Sequence, residues 1–552
     1  MKHLSLLVVA LCCALSMSAQ DKSRHHIETA KQLSIFNAIY RDLDKNYVDT
    51  LDAKKNIENA LLYMLDQLDP YTEYFPEDKT DDLKQMTTGK YAGVGAVVQP
   101  RKDLGRCVIA STFEGMPADE AGLRAGDILL SIDGKDLGRL TTQEAADYSS
   151  SVSNALRGEP GTTITVGFQR PGQAPRTVQV TRRAVTVPSV TCSAMANDTV
   201  GYIYLEGYTE NTTRDVRRAI VDLKQQGARR LLLDLRGNPG GLMEEAVSLV
   251  NLFVPRGKEV VTTRGKLREN TVTYKTQNDP LDLDIPLLIL TNGSTASAAE
   301  ITAGALQDYD RAVVAGVRTY GKGLVQESHP TAYNGVVKFT TSKYYIPSGR
   351  CIQAYRFEDG EPVALPDSLT HEFHTAAGRP VRDGGGITPD VPIAATMDSL
   401  PSMLLYLTSE EAFTDYCVDY NNRHDVLPSP ERFHLSDADY ADFCRFMKNR
   451  GFTFSRQSLR VLEKLQQLID IEGYGDEVKP EVDALRDKLD RDVEEDFRHW
   501  EAPIRIMAEG VIMGYRYYAR GAALYLLHND AAIHDALSIL TDDARYRHLL
   551  KK

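Results

Sequence analysis

The sequence predicts a multidomain α/β protein with an alternating α/β core, a small β-rich module ahead of it, and helical regions at both ends. Three observations predict this class. Apolar residues recur at helical spacing up to residue 88 and again beyond residue 400. Short strands punctuated by Gly and Pro fill 89–183. Buried-type strands alternate with helices from 184 to 395. A chain of 552 residues also exceeds one compact core and has room for about three or four units.

The first segment, 1–19, reads as a secretory signal peptide. Met1-Lys2-His3 is a basic start, Leu4 to Leu15 an apolar run, and Ser16, Ser18 and Ala19 a small-residue exit before Gln20-Asp21. The run alone would suit a short buried helix, but its place at the amino terminus favours export to a periplasm or cell envelope. Cys12 follows Leu11 and Cys13 follows Cys12, poor fits to the small residue that precedes a lipid-attachment cysteine. Membrane association is therefore expected only with lipidation.

Residues 27–88 form a helical entry region, with Leu33, Ile35, Phe36, Ile39 and Leu43 on one stripe and Ile57, Leu61, Leu62, Leu65 and Leu68 on another. Within 89–183 the strand candidates are Val94 to Val98, Val108 to Ser111, Ile128 to Ile132, Thr163 to Gln169 and Thr177 to Thr181. The core, 184–395, alternates strands at 200–205, 231–235, 285–291 and 312–315 with helices at 212–225, 242–252 and 297–307, the pattern of a parallel sheet covered by helices. Residues 400–552 are helical and charge-laced, and nothing in them points to chemistry.

A net charge of −13 lacks the cationic surplus that nucleic-acid binding requires. Five cysteines follow the leader, Cys107, Cys192, Cys351, Cys417 and Cys444. Their irregular spacing suits buried thiols better than a disulfide scaffold or a CxxC metal site. With no HExxH or Walker sequence, neither a metal nor another cofactor is expected.

Three stretches carry chemistry together that none carries alone. Strand 285–291 runs into Asn292-Gly293-Ser294-Thr295-Ala296-Ser297 and then helix formers, setting Ser297 at a helix amino terminus, where developing negative charge is favoured. A lone serine there would be an ordinary N-cap. Leu231 to Leu235 opens into Arg236-Gly237-Asn238-Pro239-Gly240-Gly241. An N–H from this loop with that of Ala298 would make an oxyanion hole; an unliganded tight turn is the bland alternative, and a phosphate cradle lacks its Walker lysine. Lys322 lies between Gly321 and Gly323 after strand 312–315, and strand ends of a parallel sheet share one crevice. As a base Lys322 must be neutral, its pKa lowered by exclusion from water, and Gln326 could orient its amine.

Residues 89–183 resemble a PDZ domain. Gly93-Val94-Gly95-Ala96 resembles the carboxylate-binding loop, and Gly115-Met116-Pro117-Ala118 leads through Gly122 and Gly126-Asp127 to Ile128–Gly134 in the family manner. The resemblance implies that Val94, Gly95 and Ala96 receive a peptide's terminal carboxylate; a PDZ fold with a vacant groove is the alternative.

Residues 30–395 resemble the carboxy-terminal processing, or tail-specific, serine proteases. The family pattern Ser-Ala-Ser-Ala-Ser-Glu stands here as Thr295-Ala296-Ser297-Ala298-Ala299-Glu300, and Tyr344–Arg350 and Gly386–Asp390 also look like family stretches. The resemblance implies a crotonase-like α/β protease core, nucleophile Ser297, base Lys322, supporting Gln326, and an oxyanion loop over Asn238 to Gly241 with Gly240, Gly241 and Ala298 at the hole. It also implies substrates with free C-terminal tails and helical ends that support homo-oligomers. Asp308, which matches an acid of some relatives, is expected to be structural. Two rivals stand beside this reading, a PDZ scaffold without catalysis and a crotonase-like acyl-thioester enzyme.

Overall fold

The computed structural model describes residues 26–140, 145–267, 271–393, 402–454 and 456–551. Residues 1–19, read from the sequence as a signal peptide, lie outside the described residues. The chain divides into two compact units, Met1–Tyr74 with Glu358–Glu361, and Phe75–Phe357 with Pro362–Lys552.

The first unit holds a helix over 26–46 and a second at Ala53–Asp66, capped by Asp52, whose Oδ1 accepts from Lys55 N at 3.0 Å. The helical spacing read from the sequence is real. Many of its apolar residues nevertheless face outward: Leu65 is buried, but Leu33, Phe36, Ile39, Leu43, Leu62 and Leu68 remain exposed.

The second unit opens with the β-rich module. Strands β1 (Ala96–Arg101), β2 (Arg106–Thr112), β3 (Ile128–Ile132), β4 (Thr163–Gln169) and β5 (Arg176–Thr181) pair in that order, all antiparallel. Their inward residues, among them Ile109, Leu129, Val166, Phe168 and Val180, close on Val152 and Leu156 of helix α1 (Ala145–Leu156). The sequence reading passed over α1, whose run of serines has weak helix propensity. Lys90–Gly93 pairs antiparallel with Arg183–Thr186, so the module's entry and exit strands are stitched into one ribbon.

The core sheet runs β6 (Val190–Met195), β7 (Val200–Leu205), β8 (Arg230–Asp234), β9 (Leu287–Thr291), β10 (Val313–Gly316) and β11 (Val391–Pro392). Only β6 pairs antiparallel; the rest are parallel. A parallel sheet must be covered on both faces. Leu231, Leu233, Leu287 and Ile289 face α2 (Thr212–Gln225), α3 (Met243–Val250) and α4 (Ala298–Asp308). The alternate residues Leu232, Leu288 and Leu290 face Ala523 and Leu527 of α5 (Glu501–Asn529), Ile533, Ala536 and Leu540 of α6 (Ala531–Thr541), and Tyr546 of α7 (Asp543–Leu549).

The C-terminal region therefore has two roles. Its earlier part forms its own aromatic-rich core around Phe413, Tyr416, Phe443 and Phe497, while its last thirty or so residues complete the α/β core. Helix α5 spans both by kinking at Tyr517 and Tyr518, where Tyr518 takes φ 60° and ψ −171°.

Candidate active site

Strand β9 ends at Thr291, and Ser297 stands at the entry of α4 with φ 55° and ψ −117°, backbone that an L-residue rarely adopts. The turn survives because its surroundings hold it. Thr295 Oγ1 donates to Leu235 O at 2.8 Å and accepts from Asn292 N at 3.0 Å. Ala296 N donates to Asn238 O at 2.9 Å, and Tyr320 N to Thr295 O at 3.0 Å. Strain of this kind persists only where the surrounding structure over-determines it.

Glu300, one turn into α4, is wholly buried and ties the serine turn to the lysine loop. Its Oε2 accepts from Ser297 N at 2.8 Å and from Lys322 N at 2.9 Å. Its Oε1 accepts from Gly321 N at 2.7 Å and from the Thr319 hydroxyl. Burial pushes the carboxyl up to about 7, against the opposing pull of these hydrogen bonds. The sequence reading assigned Glu300 no role. Its signal was present, since Ser297 followed three residues later by Glu300 has capping-box spacing.

The glycine loop closes the third side. Tyr208 N donates to Gly240 O, and Leu242 N to Tyr208 O, both at 2.9 Å. A Cβ on Gly240 would lie 2.8 Å from Ala296 O, Ala298 N and Ser297 Cβ, so only glycine lets this loop approach the turn. The Gly240 N–H is not available to a reacting oxygen, because it donates to Asn238 Oδ1 at 2.8 Å. Gly241 N–H donates to nothing among the described residues. Ala298 begins α4, so its N–H has no acceptor within the helix.

Lys322 is half-buried, and the glycines beside it are packed hard: a Cβ on Gly321 would fall 2.4 Å from Ala354 Cβ, and one on Gly323 2.7 Å from Gln353 N. Gln326 lies on the strand Leu324–Pro330 where its ladder with Val336–Tyr345 shifts register, a device that re-aims side chains. Its Nε2 donates to Thr340 Oγ1 at 3.0 Å. Tyr344 donates its hydroxyl to Ser297 O at 3.2 Å.

Asp308 ends α4, roughly 16 Å from Ser297 at 1.5 Å per residue. It pairs with buried Arg350 at 2.9 Å and accepts from Ser348 N at 2.9 Å. Asp390, in the Gly386–Asp390 stretch, accepts from Gln307 Nε2 at 2.9 Å and Val314 N at 2.8 Å. Both acids hold the far end of the helix.

Three family models match the chain: peptidase family S41 over residues 199–363, a PDZ domain over 108–170, and the C-terminal helical domain of a probable PDZ-protease over 403–540. A carboxy-terminal-processing protease of Bartonella bacilliformis is 36% identical over 351 residues, 62% of this chain and 78% of that one. The chain belongs to the S41 carboxy-terminal-processing protease family. It is a serine peptidase, a hydrolase, with a PDZ module. A probable CtpA-like serine protease of Staphylococcus aureus is 32% identical over 334 residues, 59% of this chain and 64% of that one. Among solved structures, a photosystem II D1 C-terminal processing protease is 27% identical, covering 65% of this chain and 92% of its own, with a TM-score of 0.35.

Within this family's pattern the chain departs at Thr295 and Ala299. Thr295 keeps a hydroxyl, which the Leu235 carbonyl uses, and Ala299 is buried where a hydroxyl would need a partner.

The PDZ module carries a groove of about 300 Å³ between β1 and α1, lined by Val94, Ala96 and Val98 on one side and Ser149, Ser153 and Leu156 on the other. Strand β1 is an edge strand, so its outer hydrogen-bonding groups are available to an added strand. Val94 is buried and its carbonyl accepts from Ala118 N at 2.8 Å, while Gly95 takes φ 76° against Met116. The loop Val94-Gly95-Ala96 thus heads the groove.

Cys107, Cys192 and Cys417 are buried and free, and Cys351 and Cys444 are half-buried and free. Burial pushes the thiols of Cys107, Cys192 and Cys444 up to about 11, which keeps them protonated and inert.

Proposed function

We propose that this serine peptidase works through a Ser297–Lys322 pair and takes its substrates by their free C-terminal tails in the PDZ groove. The observation that carries the reading is the Glu300 carboxylate, which accepts from the main chains of both residues and so ties the Ser297 turn to the Lys322 loop.

In this reading neutral Lys322 takes the Ser297 proton as Oγ attacks the scissile carbonyl. Gly241 N–H and Ala298 N–H stabilise the oxyanion, with Gly240 allowing the approach. Gln326, its Nε2 held by Thr340, presents its amide oxygen to the lysine amine. The lysine then returns the proton to the leaving amine, and water, deprotonated by the same lysine, releases the acyl group. A terminal carboxylate binds at Val94-Gly95-Ala96 while the tail adds a strand beside β1. The amino-terminal segment supports export to the periplasm or cell envelope, and the exposed apolar faces of the first unit suit association with a second copy.

The test uses purified chain and an unfolded protein with a free tail. Wild type should cleave it and take up one equivalent of a serine-reactive phosphonate. Ser297→Ala should do neither, and Lys322→Ala should lose cleavage at neutral pH. Cleavage by Ser297→Ala at the wild-type rate would sink the assignment. A wild type that binds tails without labelling would point to a scaffold.

A further inference from the structure

The glycine loop leaves strand β8 through a buried ion cluster that reaches the far end of the chain. Asp234, the last residue of β8, is wholly buried and accepts from the Tyr202 hydroxyl at 3.0 Å. The Arg236 guanidinium forks onto it, Nε to Oδ1 at 3.0 Å and Nη2 to Oδ2 at 2.8 Å, and the Arg236 N–H adds a bond to Oδ1 at 3.0 Å. The remaining arm, Nη1, donates to Asp530 Oδ2 at 2.6 Å, 294 residues further along the chain. Asp530 is buried at the junction of α5 and α6 and caps α6, its Oδ1 accepting from Ala532 N at 2.7 Å.

One guanidinium thus holds two buried carboxylates. The second adds a desolvation cost, while the fork on Asp234 already compensates the Arg236 charge. Capping does not call for it, since serine and asparagine cap a helix as well as aspartate does. What Asp530 supplies is a second anchor, so that Arg236 is gripped from both β8 and α6 at the residue from which the loop departs. The next residues pass that position on. Gly237 N donates to Asn292 Oδ1 at 2.9 Å, Asn238 Nδ2 to Leu205 O at 2.8 Å, and Ala296 N to Asn238 O at 2.9 Å. The first and last of these bonds join the loop to the turn that carries Ser297.

We propose that Asp530, acting through Arg236, is a positioning residue of the reaction: it fixes where the glycine loop starts, and with it the place of the Gly241 N–H relative to the Ser297 turn. This rests on the reading that the Gly241 N–H receives the oxyanion. The C-terminal helices then complete the site as well as covering the sheet.

The experiment uses the full chain, an unfolded protein with a free tail, and the serine-reactive phosphonate. Asp530→Ser keeps an oxygen for Ala532 N but is too short to reach Arg236, whereas Asp530→Ala loses both contacts. Both should lose kcat about ten- to a hundredfold with KM nearly unchanged, and phosphonate labelling should slow by the same factor, as for reacting groups displaced by up to about 1 Å. Only the alanine variant should unfold at a clearly lower urea concentration, because only it lacks the cap. Asp543→Asn is the control. Asp543 pairs with Arg230 at 2.7 Å at the other end of β8, so this change should leave kcat and labelling at wild-type values. A wild-type kcat in Asp530→Ser overturns the proposal and leaves Asp530 as the cap of α6. An equal loss from Asp543→Asn overturns it too, since any loosening of the C-terminal helices would then suffice. In both results wild type still labels and cleaves, so the Ser297 reading stands; a wild type that does neither overturns that reading together with this one.

Discussion

Ser297 and Lys322 donate their backbone N–H groups to one and the same atom, Oε2 of Glu300. Twenty-five residues of sequence are thereby closed onto a single buried oxygen, and the geometry of the proposed nucleophile and base depends on it. Glu300→Gln should break this arrangement. One amide orientation turns its NH2 toward the Ser297 and Lys322 N–H groups and the other toward the Gly321 N–H and the Thr319 hydroxyl, so at least one buried N–H is left unpaired at about 1–3 kcal/mol. Glu300 touches no substrate in the proposed reaction, so its effect is one of positioning. The expected outcome is a fall in kcat of roughly a hundredfold or more with KM nearly unchanged, as for reacting groups displaced by about 1 Å. A retained kcat would show that the two loops hold their places without the carboxylate.

The same carboxyl gives a pH dependence with opposite signs for stability and activity. With its folded pKa pushed up to about 7 from an ordinary 4.5, the folded state binds the extra proton between those values. The stabilisation is complete below about pH 4.5 and is lost as pH rises through 7, on the order of 3 kcal/mol. Activity should run the other way. The ionised form accepts from all four donors. Urea midpoints at pH 5 and pH 8 should therefore drop for wild type by more than for Glu300→Gln, while kcat/KM of wild type climbs across the same interval. Parallel stability profiles for the two proteins would remove Glu300 as their source.

Much of this architecture was legible in the sequence, because strand and helix periods, the glycine loop and the flanked lysine are local patterns. Ser297, Gly241 and Lys322 could be nominated as a group for that reason. The connecting atoms could not. Glu300 looked like a helix former, and only the fold reveals that its side chain points inward to two loops. Gly240 looked like an oxyanion donor, but its N–H is satisfied by Asn238 two residues earlier. The apolar stripes of 27–88 read as helical, and although Leu65 is buried, Leu33, Phe36, Ile39, Leu43, Leu62 and Leu68 stay exposed, since periodicity reports that a face is apolar without naming what covers it. The tail of the chain looked like a separate helical region, yet Ala523 to Leu550 cover the second face of the sheet.

The backbone of Ser297 supplies a stability prediction independent of catalysis. At φ 55° a Cβ is strained, and glycine is not. Ser297→Gly and Ser297→Ala should both be inactive, yet the glycine variant should be the more stable by about 1 kcal/mol. Thermal unfolding of the pair decides the matter. Equal or reversed midpoints would mean that the turn relaxes when the hydroxyl is removed.

The two loop glycines should fail by different routes. A Cβ on Gly241 would lie 2.1 Å from Tyr208 O, a backbone atom that cannot swing aside. Gly241→Ala should therefore lose the Tyr208 ladder, destabilising the chain by about 2 kcal/mol and abolishing activity. Gly240→Ala presses on the serine turn itself, so its main expected loss is in kcat. Phosphonate labelling together with urea titration separates the two effects.

Tyr546 gives the last prediction, and it concerns the reach of the C-terminal helices into the core. Its hydroxyl donates to Leu287 O and accepts from Leu287 N, both at 2.9 Å, at the first residue of β9. The strand that delivers Ser297 is thus satisfied at its start by a side chain from the far end of the sequence. Tyr546→Phe keeps the apolar packing of the ring and leaves the Leu287 N–H without its partner in a buried site. The expected cost is about 2 kcal/mol or more, read as a lower urea midpoint with unchanged slope. Because Leu287 lies at the opposite end of β9 from the Ser297 turn, kcat at low temperature should be preserved while heat inactivation comes earlier. A variant within about 0.5 kcal/mol of wild type would mean that Leu287 finds other partners, and that α7 covers the sheet without anchoring it.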